Sequence, residues 1–248
     1  MGEVEANTKR VMVRTWMVRG VRIAVLIGFA CFAYLGIRSA RTSALFANNK
    51  NNLKQIGLAI HNYRDTYNIL PLSIRNDEGV ELQGWQTTLI PYMESPGPVY
   101  WERDFNQPWN SETHRKLFQI VFSSYLSPSI DSGKDSNGYG LTSYSANKHL
   151  IDFGPAVAFE DIKDGLATTL LIGEIRDELP PWGKPGNSRD PALGINKSPK
   201  GFGGTFYNGC LFVMADGSVR HISEKVDTKI IEALGTPAGG ETIREDEF

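Results

Sequence analysis

The chain has 248 residues, 41% of them hydrophobic and 22% charged, which excludes gross disorder and allows one globular domain with a further element. The net charge of −2 is uneven: residues 1–41 carry Lys9, Arg10, Arg14, Arg19, Arg22, Arg38 and Arg41 against Glu3 and Glu5, a net +5, leaving −7 on the remainder. A basic head on an acidic body fits a membrane-directed N-terminus and argues against a nucleic-acid partner, whose binder would carry its basic residues on the folded surface.

The run Ile23–Ile37, "IAVLIGFACFAYLGI", is uncharged and bounded by Arg22 and Arg38. It is slightly short of the roughly 17–25 residues of a transmembrane helix, but snorkelling arginines would extend it. The expected division is a basic cytoplasmic tail at 1–19 and a transmembrane helix at 20–41. The positive-inside bias then puts the N-terminus in the cytoplasm and the body outside. A cleaved signal peptide, with "RSARTSA" as its small-residue site, and a buried core helix are the alternatives. The helical pattern that continues past Arg41 favours a retained anchor. Cys31 lies inside this run and Cys210 far from it, so no disulfide or thiolate metal site is expected.

Residues 42–68 read as an extracytoplasmic continuation of the same helix. In "NNLKQIGLAIHNY" the residues Leu53, Ile56, Ile60 and Tyr63, with Tyr67 after them, recur at steps of three and four, which is one helical face. Lys54 and His61 fall away from that face. Pro71 is expected to end the helix. The cluster Asn48, Asn49, Asn51 and Asn52 is its expected weak point, since asparagine is a poor helix former.

Residues 69–248 read as a globular α+β domain. Short helices are predicted over Gly84–Glu94, bent or ended at Pro91, and from an Asn110 or Ser111 cap to about Phe118. Thr142–Asn147, Ala156–Phe159 and Thr168–Ile175 read as strands, the last after an Asp164-Gly165 turn. Pro180–Gly204, rich in glycine and proline, reads as a long loop or flap at 180–204. In "CLFVMADGSVRHIS" two apolar runs flank Asp216-Gly217, which predicts a type I′ hairpin with Met214 opposite Val219 and Val213 opposite Arg220. A final helix follows, capped by Asp227, with Ile230, Ile231 and Leu234 on its apolar face and Gly235 at its end.

Taken in order, "NNLKQIGLAIHNYRDTYNILPLS", "GWQTTLIPYME", "YLSPS", "IKDGLATTLLIGE", "PPWGKPG" and "FVMADGSVRHI" resemble a large bacterial family of unknown function. Its members have prepilin-like N-termini and a C-terminal Asp-Gly motif, and it has also been labelled solute-binding-protein family ten. The resemblance implies a type IV pilin-like or pseudopilin-like fold: a long N-terminal helix with a transmembrane N-terminal half, packed on an antiparallel sheet. It implies a single-pass protein of the bacterial inner membrane, with the lipid bilayer at 20–41 as one partner and other pilin-like subunits or cell-envelope components as others. It implies no known activity. Val25 stands where the prepilin pattern has glutamate, and Ser127-Pro128-Ser129 replaces the usual Cys-Pro-Ser.

The candidate chemistry is sparse. His61, His114, His149 and His221 show no zinc spacing, and no Ser or Cys nucleophile pattern accompanies them, so no catalytic residue is assigned. "GFGG" at Gly201–Gly204 lacks the Lys-Ser/Thr of a phosphate loop. Asp164, Glu174, Asp177, Glu178 and Asp216 lie near predicted loops or strand ends and are the only set that would suit calcium; otherwise no cofactor is expected. The bland alternative is that Asp164 and Asp216 are turn residues. Trp182 is either a ligand platform or an aromatic clamp for its loop. The expected function is therefore a membrane-anchored structural or interaction protein without catalysis. The alternative is a module that binds a solute or polysaccharide through Trp182, Asp164, Glu174 and Asp216.

Overall fold

The computed structural model describes residues 2–93, 97–151 and 155–248, without the side chains of 2–15, 18–25 and Val99. The expected helix end at Glu94, the side chains of the basic tail 1–15 and the prepilin-like stretch Arg19–Val25 therefore lie outside the described residues. The chain divides into two compact units, Met1–Leu45 and Phe46–Phe248. The earlier boundary falls inside the predicted helical continuation, four residues after its start.

The first helix, α1, runs from Gly2 to Tyr67. In the first unit it is the whole described structure, and Leu26, Ile27, Phe29, Phe32, Leu35 and Ile37 are all well exposed on it. Among the described residues no helix is long and apolar enough to cross a membrane. The first part of the transmembrane half expected at 20–41, up to Val25, has its side chains outside the described residues.

The second unit begins with the last turns of α1, followed by strands β1 (Ile74–Arg75) and β2 (Glu81–Gln83). Helices α2 (Trp85–Met93), α3 (Pro98–Trp101) and α4 (Arg115–Phe118) come next. The remaining elements are β3 (Tyr144–Asn147), β4 (Leu170–Glu174), β5 (Ser188–Arg189), β6 (Gly209–Met214), β7 (Val219–Ser223) and α5 (Thr228–Gly235). β1 and β2 form a small hairpin that carries no clear alternation in sequence and was not expected. The main sheet has five strands in the order β5-β3-β4-β6-β7. All its pairings are antiparallel except the short parallel edge β3–β5, so it is mixed.

Both faces of this sheet are covered. Leu211, Val213 and Ala215 share a cluster with Leu53, Ile56, Ile60 and Tyr63 of α1. Cys210, Phe212 and Met214, one residue out of step, share the other with Ile231 and Leu234 of α5 and with Ile195 and Phe202. This is the period-two alternation of a strand, here apolar on both sides because both sides are packed. Asp227 caps α5 as expected, its carboxylate accepting from the Lys229 N–H at 3.0 Å.

The end of α1 at Tyr67, four residues before Pro71, agrees with the expected one; Asn68 there takes a left-handed φ of 60° and its N–H donates to Arg64 O. Several local expectations are corrected. α1 runs unbroken through the asparagine cluster. α2 passes through Pro91 to Met93. Ser111 precedes a single 3₁₀ turn rather than capping a long helix, and its hydroxyl caps nothing. Ala156–Phe159 is not a strand; a 3₁₀ turn starts at Phe159.

The hairpin is also shifted by one. Val213 pairs with Val219 and Phe212 with Arg220. Only Gly217 takes a positive φ, 84°, while a type I′ turn would require one at Asp216 too. The Met214 N–H donates to Ser218 O and the Gly217 N–H to Met214 O, so the loop is Ala215, Asp216 and Gly217, a tight turn closed by a left-handed glycine. The Pro180–Gly204 segment is no open flap. It holds β5 and a 3₁₀ turn at Pro191–Leu193, and Trp182, Gly183, Asn187, Ile195 and Phe202 on it are buried.

The helical face makes a simple prediction. Leu53→Ala or Ile60→Ala, each fully buried, should destabilise the domain by about 2–4 kcal/mol, whereas Leu58→Ala, on the exposed side, should change it by less than about 0.5 kcal/mol. Urea unfolding followed by circular dichroism reads the difference; equal costs would place the packing face wrongly.

Candidate functional site

Glu174 ends β4 and is 3% exposed. β4 is antiparallel to β3 and β6, and its Glu174 pairs with Tyr144 across the sheet. The side chain points at α1. One carboxylate oxygen accepts from the Asn49 side-chain amide, and the other from the Leu211 N–H at 2.7 Å. The Tyr144 hydroxyl donates to Asn49 Oδ1 at 2.5 Å. One turn on, Asn52 Nδ2 reaches Ser123 O and Leu126 O at 2.9 and 3.0 Å. The asparagines thus bind the sheet and the Ser123–Tyr125 turn instead of weakening the helix. Burial pushes the Glu174 carboxyl up to about 7, against the two donated hydrogen bonds, which pull it down. Burial also raises the neighbouring Cys210 thiol, whose Sγ lies 3.6 Å from Glu174 O. That raised pKa and full burial make Cys210 an inert packing thiol.

The other expected site residues lie elsewhere. Trp182 is fully buried, stacked among Phe118, Phe122 and Tyr125 at ring separations of 4.7–6.2 Å, with Nε1 donating to Ile120 O. It clamps its loop and presents no open face to a ligand. Gly183 beside it has room for no side chain: a Cβ there would sit 2.0 Å from the Phe118 ring. Asp164 accepts from the Gly239 and Gly240 N–H groups at 2.7 and 3.0 Å, tying down the segment after α5. Gly165 takes a φ of 99° in that turn. Asp216 accepts from the Ser218 N–H at 2.8 Å, within its own turn. Asp164, Glu174 and Asp216 each serve different partners, and among the described residues no group of three His, Cys, Asp or Glu side chains comes together to hold a metal. His61 is half-buried rather than free: it packs on Phe159 at 5.3 Å and against Gly217, and burial and Arg64 lower its pKa.

A surface site has no counterpart among these residues. A cleft of about 320 Å³ is walled by Tyr63 and Tyr67 of α1, Tyr92 of α2, Trp101 of α3, and Phe105. Arg103 lies in its wall with its guanidinium 3.6 Å from the Tyr100 ring centre and 4.0 Å from that of Phe105. Tyr100 is held by its own hydroxyl, which donates to Thr87 O at 2.9 Å. Sequence reasoning missed this cleft; the only signal was the density of aromatic residues between positions 92 and 109.

With this geometry in place the chain can be compared with known proteins. Residues 38–152, somewhat under half of the chain, match the SBP_bac_10 family, described as a protein of unknown function (DUF1559), the family that the sequence motifs resemble. Neither a curated protein nor a solved structure matches the chain.

The raised Glu174 pKa sets a pH dependence. The folded state holds this proton up to about 7, the unfolded chain only to the ordinary value of 4.5. The associated stability is therefore complete below the unfolded value and is lost as pH rises through the folded one, a fall on the order of 3 kcal/mol. Urea midpoints measured between pH 4 and 8 should decline across that window in the parent chain and much less in Glu174→Gln. Parallel profiles for the two would exclude Glu174 as the group responsible.

Proposed function

We propose that the chain is a pilin-like interaction protein, held at a membrane by the N-terminal half of α1, with the residues from Phe46 onward forming an extracytoplasmic domain that meets partners and does no catalysis. The observation that carries this reading is the row of exposed apolar side chains between Leu26 and Ile37, in a unit none of whose described residues is buried in a core cluster. A helix so composed gains free energy only by covering those side chains, at roughly 25 cal/mol per Å² of apolar surface removed from water. Acyl chains or neighbouring helices of the same kind supply that cover, and the basic residues on the preceding stretch favour an anionic leaflet. The bounding arginines have to reach the headgroups for the short run to serve, and the family match names no activity. Val25, in place of the filament glutamate, favours interaction with cell-envelope components over ordinary pilus assembly.

A second reading, a solute- or polysaccharide-binding module, is favoured by the aromatic cleft. Its support has moved from Trp182, which is buried, to Trp101 and its neighbours.

Fractionation tests the first reading. The full chain should sediment with membranes after carbonate washing, external protease should remove the domain from spheroplasts, and deletion of residues 1–41 should release it to the soluble fraction. Recovery of the full chain in the cytosol, or a domain protected in intact spheroplasts, would overturn it.

A further inference from the structure

We propose that the aromatic cleft is a binding site for an acidic saccharide, with sugar rings lying on Trp101 and Phe105 and a sugar carboxylate held by Arg103. The proposal rests on the second reading, that the domain binds a solute or polysaccharide, and narrows it to a class.

Three observations carry it. The first is exposed aromatic area gathered in a concavity. Tyr67, Trp101 and Phe105 leave 55%, 61% and 49% of their surface in water while lining one cleft. Its volume is at the lower end of the roughly 300–1,000 Å³ of ligand pockets. A pyranose presents a face of C–H groups that such rings cover, and its rim of hydroxyls meets tyrosine hydroxyls, which are donors and acceptors alike.

The second is a buried charge without a counter-charge. Arg103 is 7% exposed. Its Nε donates to Gln83 Oε1 at 3.3 Å, Nη1 to Tyr100 O at 2.8 Å and Nη2 to the Tyr100 hydroxyl at 2.9 Å. All three acceptors are neutral, and among the described residues no carboxylate pairs with the guanidinium. Buried guanidiniums are otherwise paired, because the loss of hydration is costly. The two flanking rings compensate in part by cation–π attraction. A guanidinium has five N–H donors in a planar fork, so two remain beyond the bonds named, one on each terminal nitrogen. That fork suits a carboxylate.

The third is the sign of the lining. Among the described residues no Asp or Glu lines the cleft, so it does not suit a cationic ligand, for which an aromatic cage would otherwise serve. Among the described residues Arg103 is the one charged residue on its wall, and it is positive.

Titration of the full chain in detergent at pH 7, read by tryptophan fluorescence and by calorimetry, tests the proposal. The probes are trigalacturonate, cellotriose as a neutral oligosaccharide of the same length, and acetate as a carboxylate without a sugar. Trigalacturonate should bind saturably, with cellotriose and acetate each at least about tenfold weaker, since a charge-assisted pair and a stacked ring each contribute more than a tenfold factor. Trp101→Ala, at a mostly exposed ring, and Phe105→Ala, at a half-exposed ring and checked by its melting curve, should each weaken trigalacturonate by about tenfold or more. Arg103→Lys, checked by its melting curve, should retain part of the affinity. Equal binding of cellotriose and trigalacturonate would overturn the acidic specificity and leave the saccharide-binding reading standing. No saturable binding by either sugar would overturn both. Unchanged trigalacturonate affinity in both aromatic variants would remove the ligand from this cleft.

Discussion

A carboxylate carried into an apolar interior must find donors there, and Glu174 finds them on two different elements. Asn49 supplies one from α1, and the Leu211 N–H supplies the other from β6. Hydrophobic burial is non-directional, so the apolar stripe of α1 would tolerate sliding or rotation on the sheet by a fraction of a turn. The Asn49–Glu174 contact does not. A shift of one residue would leave one carboxylate oxygen, the amide and the Tyr144 hydroxyl without these partners together, and each buried unsatisfied group costs about 1–3 kcal/mol. The Asn52 bonds to Ser123 O and Leu126 O add a second point of registration one turn away. Two fixed points define both the position and the rotation of the helix on the sheet.

This registration explains why the rest of the domain can close so tightly. With α1 set against one face, the other face of β4 and β6 is left for α5 and for the segment that carries Ile195 and Phe202. The segment 180–204 packs into the remaining space, with Trp182 among Phe118, Phe122 and Tyr125 and Gly183 against the Phe118 ring. A composition rich in glycine and proline serves close approach here rather than freedom. Glycine lets backbone meet ring, and proline reduces the conformational entropy lost when the segment is ordered.

The parts legible in the sequence were those set by local periodicity or local turn chemistry. The stripe Leu53, Ile56, Ile60 and Tyr63, the strand around Leu170–Glu174, the Asp227 cap and the existence of the β6–β7 hairpin all follow from spacings of a few residues. The hairpin register did not, because the Asp-Gly pair serves a two-residue turn or a slightly longer one, and the choice lies in which residue takes the positive φ. The asparagine cluster was misjudged because propensity counts what asparagine costs a lone helix, while its partners, Glu174 and Ser123, lie 125 and 71 residues away from Asn49 and Asn52. Trp182 stayed open between ligand platform and clamp for the same reason: a lone tryptophan among prolines reads alike whether its face is covered or open. The aromatic cleft was invisible because its walls come from four separate stretches that share no spacing.

The clasp and the cleft meet on one helix. Asn49 and Tyr63 are separated by 14 residues of α1, about 21 Å along its axis. Tyr63 belongs to the packed stripe and to the cleft wall at once. The wall formed by Tyr100, Trp101, Arg103 and Phe105 is braced independently by the Tyr100 hydroxyl on Thr87 O and by the Arg103 fork on Tyr100 and Gln83. Each wall is therefore positioned by buried polar contacts before any ligand arrives. A ring entering between them orders few side chains, so little of its contact energy is lost to conformational entropy. The exposed rings of Trp101 and Phe105 are then the adaptable part of the surface, and Arg103, fixed by three hydrogen bonds, is the part that selects by charge.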